Sequence, residues 1–148
     1  MMTVMARTET IGLLEQEVGV LIRRVRRVIH ERARLVHPDL QPASYLLLAY
    51  LAESGPRRSS EISDNFGIDK GAISRQVHNL VQLGLVDRTP DPADGRATLL
   101  SATAEAGLRL EEVKQHRRKY LDERLGGWSE DDLTSFVAML NRYNAALD

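Results

Sequence analysis

With 148 residues, 43% of them hydrophobic and 28% charged, the chain has the size and make-up of one globular domain, which excludes a disordered chain. Aromatic residues are only 5% and cysteine is absent, so disulfides, thiolate metal sites and thiol redox sensing fall away. Twenty Lys and Arg against 21 Asp and Glu leave a net charge of −1, so a nucleic-acid partner must be met by a local patch.

The start, Met1 to Arg7, lacks the apolar stretch and small-residue cleavage site of a signal peptide. Tyr45 to Ala52, the longest apolar run, is eight residues, too short for a membrane span. A cytoplasmic protein with no membrane partner is expected.

Residues 9–36 read as one long helix, with Ile11, Leu14, Val18, Leu21, Ile22, Val25, Val28, Ile29, Leu35 and Val36 near a helical rhythm. Its length, roughly 40 Å at 1.5 Å per residue, is hard to cover within a small monomer, so part of the stripe points to a subunit interface. His37-Pro38 ends it. Pro42 opens a second, largely apolar helix that Gly55-Pro56 closes. A short helix follows from Ser59 or Ser60 to about Phe66. Gly67 permits a turn, and Asp69 caps a helix from Lys70 to about Leu83.

Gly84 stops that helix, and residues 85–89 and 97–101 read as paired strands. Between them, residues 90–96 are dense in turn formers and predict an exposed hairpin tip. Helical rhythm returns from about Thr103 to Leu125, and Gly126-Gly127 breaks it. Ser129 caps the last helix, Glu130, Asp131 and Asp132 suit its positive end, and Trp128 with Leu133 can form a hydrophobic staple.

Two short helices followed by a hairpin are the parts of a winged helix-turn-helix. On the helix at 70–83, Ile73, Val77, Leu80 and Val81 form an apolar stripe. At 100° per residue the other side carries Gly71, Arg75, His78, Asn79 and Gln82, with Ser74 flanking and Lys70 at the start. Arginine can donate two hydrogen bonds to guanine, asparagine or glutamine can pair with adenine, and serine can hold a phosphate. Gly71 leaves room for close approach of DNA, and free N–H groups at a helix start suit a phosphate.

From Ser60-Glu61-Ile62 through Gly67-Ile68-Asp69-Lys70-Gly71-Ala72-Ile73-Ser74-Arg75 to Asp91-Pro92-Ala93-Asp94-Gly95-Arg96 and Ser101-Ala102-Thr103, the sequence closely resembles the MarR family of dimeric transcription regulators. The order of helices fits that family across nearly the whole chain. The resemblance implies a mainly α fold with a small β-hairpin wing, as a single domain over residues 1–148. Residues 9–37 and 103–147 would be dimerisation helices, and 57–101 the winged DNA-binding lobe.

It further implies a homodimer whose recognition helices enter major grooves of a palindromic operator, with half-sites roughly 34–36 Å apart. Arg96 would reach the minor groove from the wing, favoured by the strong negative potential of a narrow A·T-rich groove. Asp94 would support the wing, bracing Arg96 or the turn. A small phenolic or other anionic effector would bind between the DNA lobe and the dimer helices, where Arg34, His37 and Tyr45 lie near the junction of the first two helices. Peroxide-sensing members need a cysteine, and urate-responsive members carry a tryptophan in an N-terminal helix, whereas the one tryptophan here is Trp128.

Each of these readings has a plainer competitor. Exposed arginines can simply be solvated, and Ser74 can satisfy local backbone. The cluster Arg23, Arg24, Arg26 and Arg27 sits beside Glu15, Glu17 and Glu31 and reads as a solvated or pairing face, as can His116 to Lys119. Histidines 30, 37, 78 and 116 lack close ligand spacing, so no metal is expected. No nucleophile–base pair or phosphate-cradling loop stands out, so neither an enzyme nor a cofactor is expected. A winged-helix module that binds protein is the competing class, since residues 57–98 carry six bases and six acids. Those acids fall mostly at helix starts and turns, which favours DNA binding; that the protein is a repressor is what the resemblance to the MarR family implies.

Overall fold

The computed structural model describes residues 2–148; Met1, the first residue of the expected domain, lies outside them. The elements run α1 (Met2–Val36), α2 (Pro42–Ser54), β1 (Arg57–Arg58), α3 (Ser59–Phe66), α4 (Lys70–Gln82), β2 (Val86–Asp91), β3 (Asp94–Ala102), α5 (Ala104–Arg124) and α6 (Glu130–Ala146). By contacts they divide into two compact units, Met1–Val113 and Lys114–Asp148, where the sequence predicts one domain.

Helix α1 begins seven residues before the expected Glu9. No capping residue marks that start, but Met, Ala and Arg are good helix formers. The hydroxyls of Thr8 and Thr10 donate to the carbonyls of Val4 and Ala6, at 3.0 and 2.8 Å, so neither competes for an N–H of its own turn. Among the described residues of α1 only Ala33 and Val36 are buried, whereas Ile11, Leu14, Leu21, Ile22 and Val25 remain 43–52% exposed.

Helix α2 is the centre of the first unit. Pro42 sits in its first turn, and Tyr45, Leu47, Leu48 and Leu51 are buried on more than one side of it. Around them lie Ile62 of α3, Ile73, Val77 and Leu80 of α4, Leu85 just before the sheet, and Val86 and Leu100 within it. Each fully buried leucine contributes about 1.5–3 kcal/mol by leaving water. Gly67 ends α3 in the left-handed region (φ 61°), which a residue with a Cβ rarely adopts.

The sheet is antiparallel, with strand order β1-β3-β2. Strand β1 was not expected. Its two residues, Arg57 and Arg58, lie opposite Leu100 and Leu99 and make β3 the central strand. The hairpin is also longer than the turn formers suggest. Pro90 and Asp91 belong to β2, and Asp94 to β3, leaving Pro92 and Ala93 as the tip. Pro90 is tolerated because β2 is an edge strand.

Thr103 joins the sheet to α5. Its hydroxyl donates to the Gly84 carbonyl (3.0 Å) and accepts from the Ala106 N–H (3.2 Å). In the second unit, Ser129 and Asp132 form the capping box of α6. The Trp128 ring meets Phe136 edge-on with centroids 5.7 Å apart. No residue of α6 is buried. No helix among the described residues is long and apolar enough to cross a membrane.

Candidate nucleic-acid interface

The start of α4 sets the geometry of its outer face. Asp69 is the N-cap, and its Oδ1 accepts the Gly71 N–H at 2.6 Å. That N–H is therefore occupied by the cap. Gly71 serves a second purpose: a Cβ there would stand 3.1 Å from Asp69 Oδ1 and 3.6 Å from an Arg75 guanidinium nitrogen. The missing side chain leaves space for the Asp69 cap, whereas the arginine would meet such a Cβ only at ordinary contact distance.

Lys70, Gly71, Ser74, Arg75, His78 and Gln82 are all exposed. Asn79 departs from this face. It is half-buried, and its Oδ1 is covered by protein without a hydrogen-bond partner. At 100° per residue it lies about 60° from Gln76, on the flank of the buried stripe and away from the middle of the exposed side. Among the described residues, Lys70, Arg75, Arg88 and Arg96 form no ion pair within the chain.

Arg88 was not singled out in the sequence. With Ser59, Ser74, Val77, Thr98 and Leu100 it lines a cleft of about 280 Å³ between the start of α3, α4 and the sheet. Three hydroxyls and a guanidinium make this lining suited to an anion. A second cleft of about 210 Å³, lined by Leu51, Gly55, Ser101 and Thr103 among others, lies at the end of α2 and the start of α5.

The wing carries an irregularity. Pro90 lies opposite Thr98 and Asp91 opposite Asp94, so Gly95, Arg96 and Ala97 have no opposite residue. This bulge lies in the first residues of β3 and leaves Arg96 exposed close to the hairpin tip. Asp94 Oδ1 accepts the Arg96 backbone N–H at 3.1 Å, so it braces the main chain of the turn and not the guanidinium.

The stronger brace is Asp91, which the sequence reading counted only as a turn former. It is 8% exposed. Its Oδ1 accepts the Ala93 N–H at 2.9 Å, and its Oδ2 accepts from Arg58 Nε at 2.7 Å and Nη2 at 2.5 Å. The Ala93 N–H first, and the Arg58 guanidinium second, hold this carboxyl below the usual carboxylate range. Asp91 in turn raises Arg58 above its already high value. The two residues are 33 positions apart, and no local pattern announces their pairing.

The expected effector residues are not gathered in either cleft. Arg34 is exposed and Tyr45 is buried. His37 is half-buried, with Nδ1 accepting the Asp39 N–H at 3.1 Å, which ties it to the turn after α1. Among the described residues, no group of three or more His, Asp or Glu could hold a metal ion.

Comparison with known proteins is consistent with this geometry. Residues 39–97 match the model of the MarR family. The chain is 33% identical over 136 residues to an uncharacterized HTH-type transcriptional regulator, YxaD, of Bacillus subtilis (strain 168), covering 92% of this chain and 94% of that protein. It is 31% identical over 103 residues to the HTH-type transcriptional repressor IacR of Pseudomonas putida, covering 69% of this chain and 61% of that one. A crystal structure of MarR superposes with a TM-score of 0.73 over 90% of each chain at 21% identity. The chain thus belongs to the MarR family of HTH-type, DNA-binding transcriptional regulators.

Proposed function

We propose that two copies of this chain pair and bind a palindromic operator as a cytoplasmic repressor. Each copy lays α4 in a major groove and its wing against the neighbouring minor groove. The observation that carries this reading is the set of unpaired cations, Lys70, Arg75, Arg88 and Arg96, on one helix face, a hydroxyl-lined cleft and a bulged hairpin, with no acid on the exposed face of α4 after Lys70. Arg75 reads a base edge, with His78 and Gln82 beside it. Arg88, Ser59, Ser74 and Thr98 hold a backbone phosphate, and Lys70 supplies a further phosphate contact. Asn79, whose amide oxygen is covered, would contribute only through its amide nitrogen. Arg96 enters the narrow groove, and Asp94 keeps the turn that carries it.

Pairing is supported by the exposed apolar residues of α1 and, separately, of α6, where Phe136, Val137 and Met139 are more than half exposed. The name of IacR supports repression. A phenolic or anionic effector acting near Arg34, His37 and Tyr45 would need different affinities for the DNA-competent and incompetent spacings of the two α4 helices.

Binding to duplexes selected from a random-sequence pool tests the reading. The Arg75→Ala variant loses about 1–3 kcal/mol on the selected site and relaxes preference at one base position. Equal loss on selected and random duplexes would remove Arg75 as a reader. A wild-type protein without salt-sensitive duplex binding would favour a protein-binding module instead.

A further inference from the structure

We propose that Arg58 and Asp91 are positioning residues for Arg96, a tie across the sheet that fixes where the wing presents its arginine; this rests on the DNA-binding reading above. Arg58 lies on edge strand β1 opposite Leu99, and Leu99 lies opposite Thr89 on the far edge strand β2. The Arg58 side chain therefore reaches over the central strand to Asp91, two residues further along β2. Its own main chain is held as well, because the Arg58 N–H donates to Glu61 Oε1 at 3.4 Å at the start of α3.

From Asp91 the tie continues through the tip. Asp91 Oδ1 holds the Ala93 N–H, and Asp94 Oδ1 holds the Arg96 N–H. Each link fixes one main-chain donor in the segment that leads to the bulge at residues 95–97. A two-stranded hairpin tip is otherwise free to twist and bend, since only one neighbour supports it. With the tie, the start of α3 and the tip of the wing move as one piece. Helix α4, one turn after α3, and Arg96 then keep a fixed separation, which is what simultaneous entry into two adjacent grooves requires. Within that cluster the Arg58 guanidinium faces the charges of Asp91, Asp94 and Glu61, and Glu61 also lies 3.9 Å from Arg57.

The Asp91→Asn variant separates positioning from bulk electrostatics. Asparagine keeps an acceptor for the Ala93 N–H but loses the charge that holds Arg58. Deleting a negative charge beside DNA would by itself tighten binding, whereas loss of positioning loosens it. We expect Asp91→Asn and Arg58→Gln each to weaken binding to the selected duplex by about three- to tenfold when its flanks are A·T-rich, and by much less with G·C-rich flanks. Arg58→Lys restores part of the loss. In an Arg96→Ala background, Asp91→Asn has no further effect.

Tighter or unchanged binding by Asp91→Asn, or an undiminished effect without Arg96, overturns the proposal while leaving the DNA-binding reading intact. No duplex binding by the wild type would overturn that reading and the proposal with it. Amide hydrogen exchange at Ala93 and Arg96 gives a readout independent of DNA. It should quicken in Asp91→Asn while exchange along α4 stays the same, and unchanged exchange at both amides counts against the tie.

Discussion

Helices α4 and α6 open in the same way and end differently. Each has a side-chain N-cap, Asp69 in one and Ser129 in the other, and each has an amphipathic sequence. Yet α4 buries Ile73, Val77 and Leu80, whereas α6 buries nothing. Local signals make both segments helical. Burial depends on what else the chain offers, and for α4 it offers α2, α3 and the sheet. The comparison teaches that the winged lobe carries its own core, while α6 is helical by its local signals alone and leaves its apolar residues exposed, the face that the proposed pairing would cover.

The largest expected effect strikes the self-sufficient region. Leu48 is fully buried in α2, so Leu48→Ala should cost about 2–5 kcal/mol, read as a lower urea midpoint. A loss below about 1 kcal/mol would mean that the lobe's core is looser than its burial implies. Next comes α6. Val137 is 66% exposed, so Val137→Asp should leave the lobe folded but raise the dissociation constant of the dimer at least about thirtyfold, as loss of an apolar interface anchor does. Sedimentation at graded concentrations checks it, and an unchanged constant would erase the contrast between the two helices.

Asp69→Ala should cost about 1 kcal/mol of stability, since it leaves the Gly71 N–H without its acceptor. Thermal unfolding of this variant beside Ser129→Ala shows whether a cap counts for more where the helix behind it is packed. The smallest effect concerns acid. The Asp91 carboxyl is held low by the Ala93 N–H and Arg58. Its contribution is therefore complete above the unfolded-chain value of about 3.9 and fades as pH falls through the lower folded value. A pH series of unfolding midpoints should show that acid-side segment in the wild type and lose it in Asp91→Asn.

Much of this fold was legible because its punctuation is local. Pro42, Gly55, Gly67, Asp69, Gly84 and Ser129 mark helix ends where the structure has them. What stayed hidden depends on residues far apart in the chain. Strand β1 is two arginines long and exists because β3 lies beside it some 40 positions later. The Arg58–Asp91 pair has the same origin. Turn-forming composition at 90–96 overstated the loop, since an edge strand accepts Pro90 and a bulge absorbs Gly95. For the candidate site, the periodic reading placed Arg75, His78 and Gln82 outward, where they are exposed. It put Asn79 on the same side, and packing around the flank of the stripe covered its oxygen instead.

The sheet's two borders carry a consequence for self-association. One border is β1, too short to template another strand, and the other is β2, where Pro90 removes an amide donor. A stray extended segment from a neighbouring molecule finds no continuous ladder to join. Crowded copies of this protein therefore have no strand border on which to zip up along the wing, which leaves the hairpin available to whatever lies beneath it.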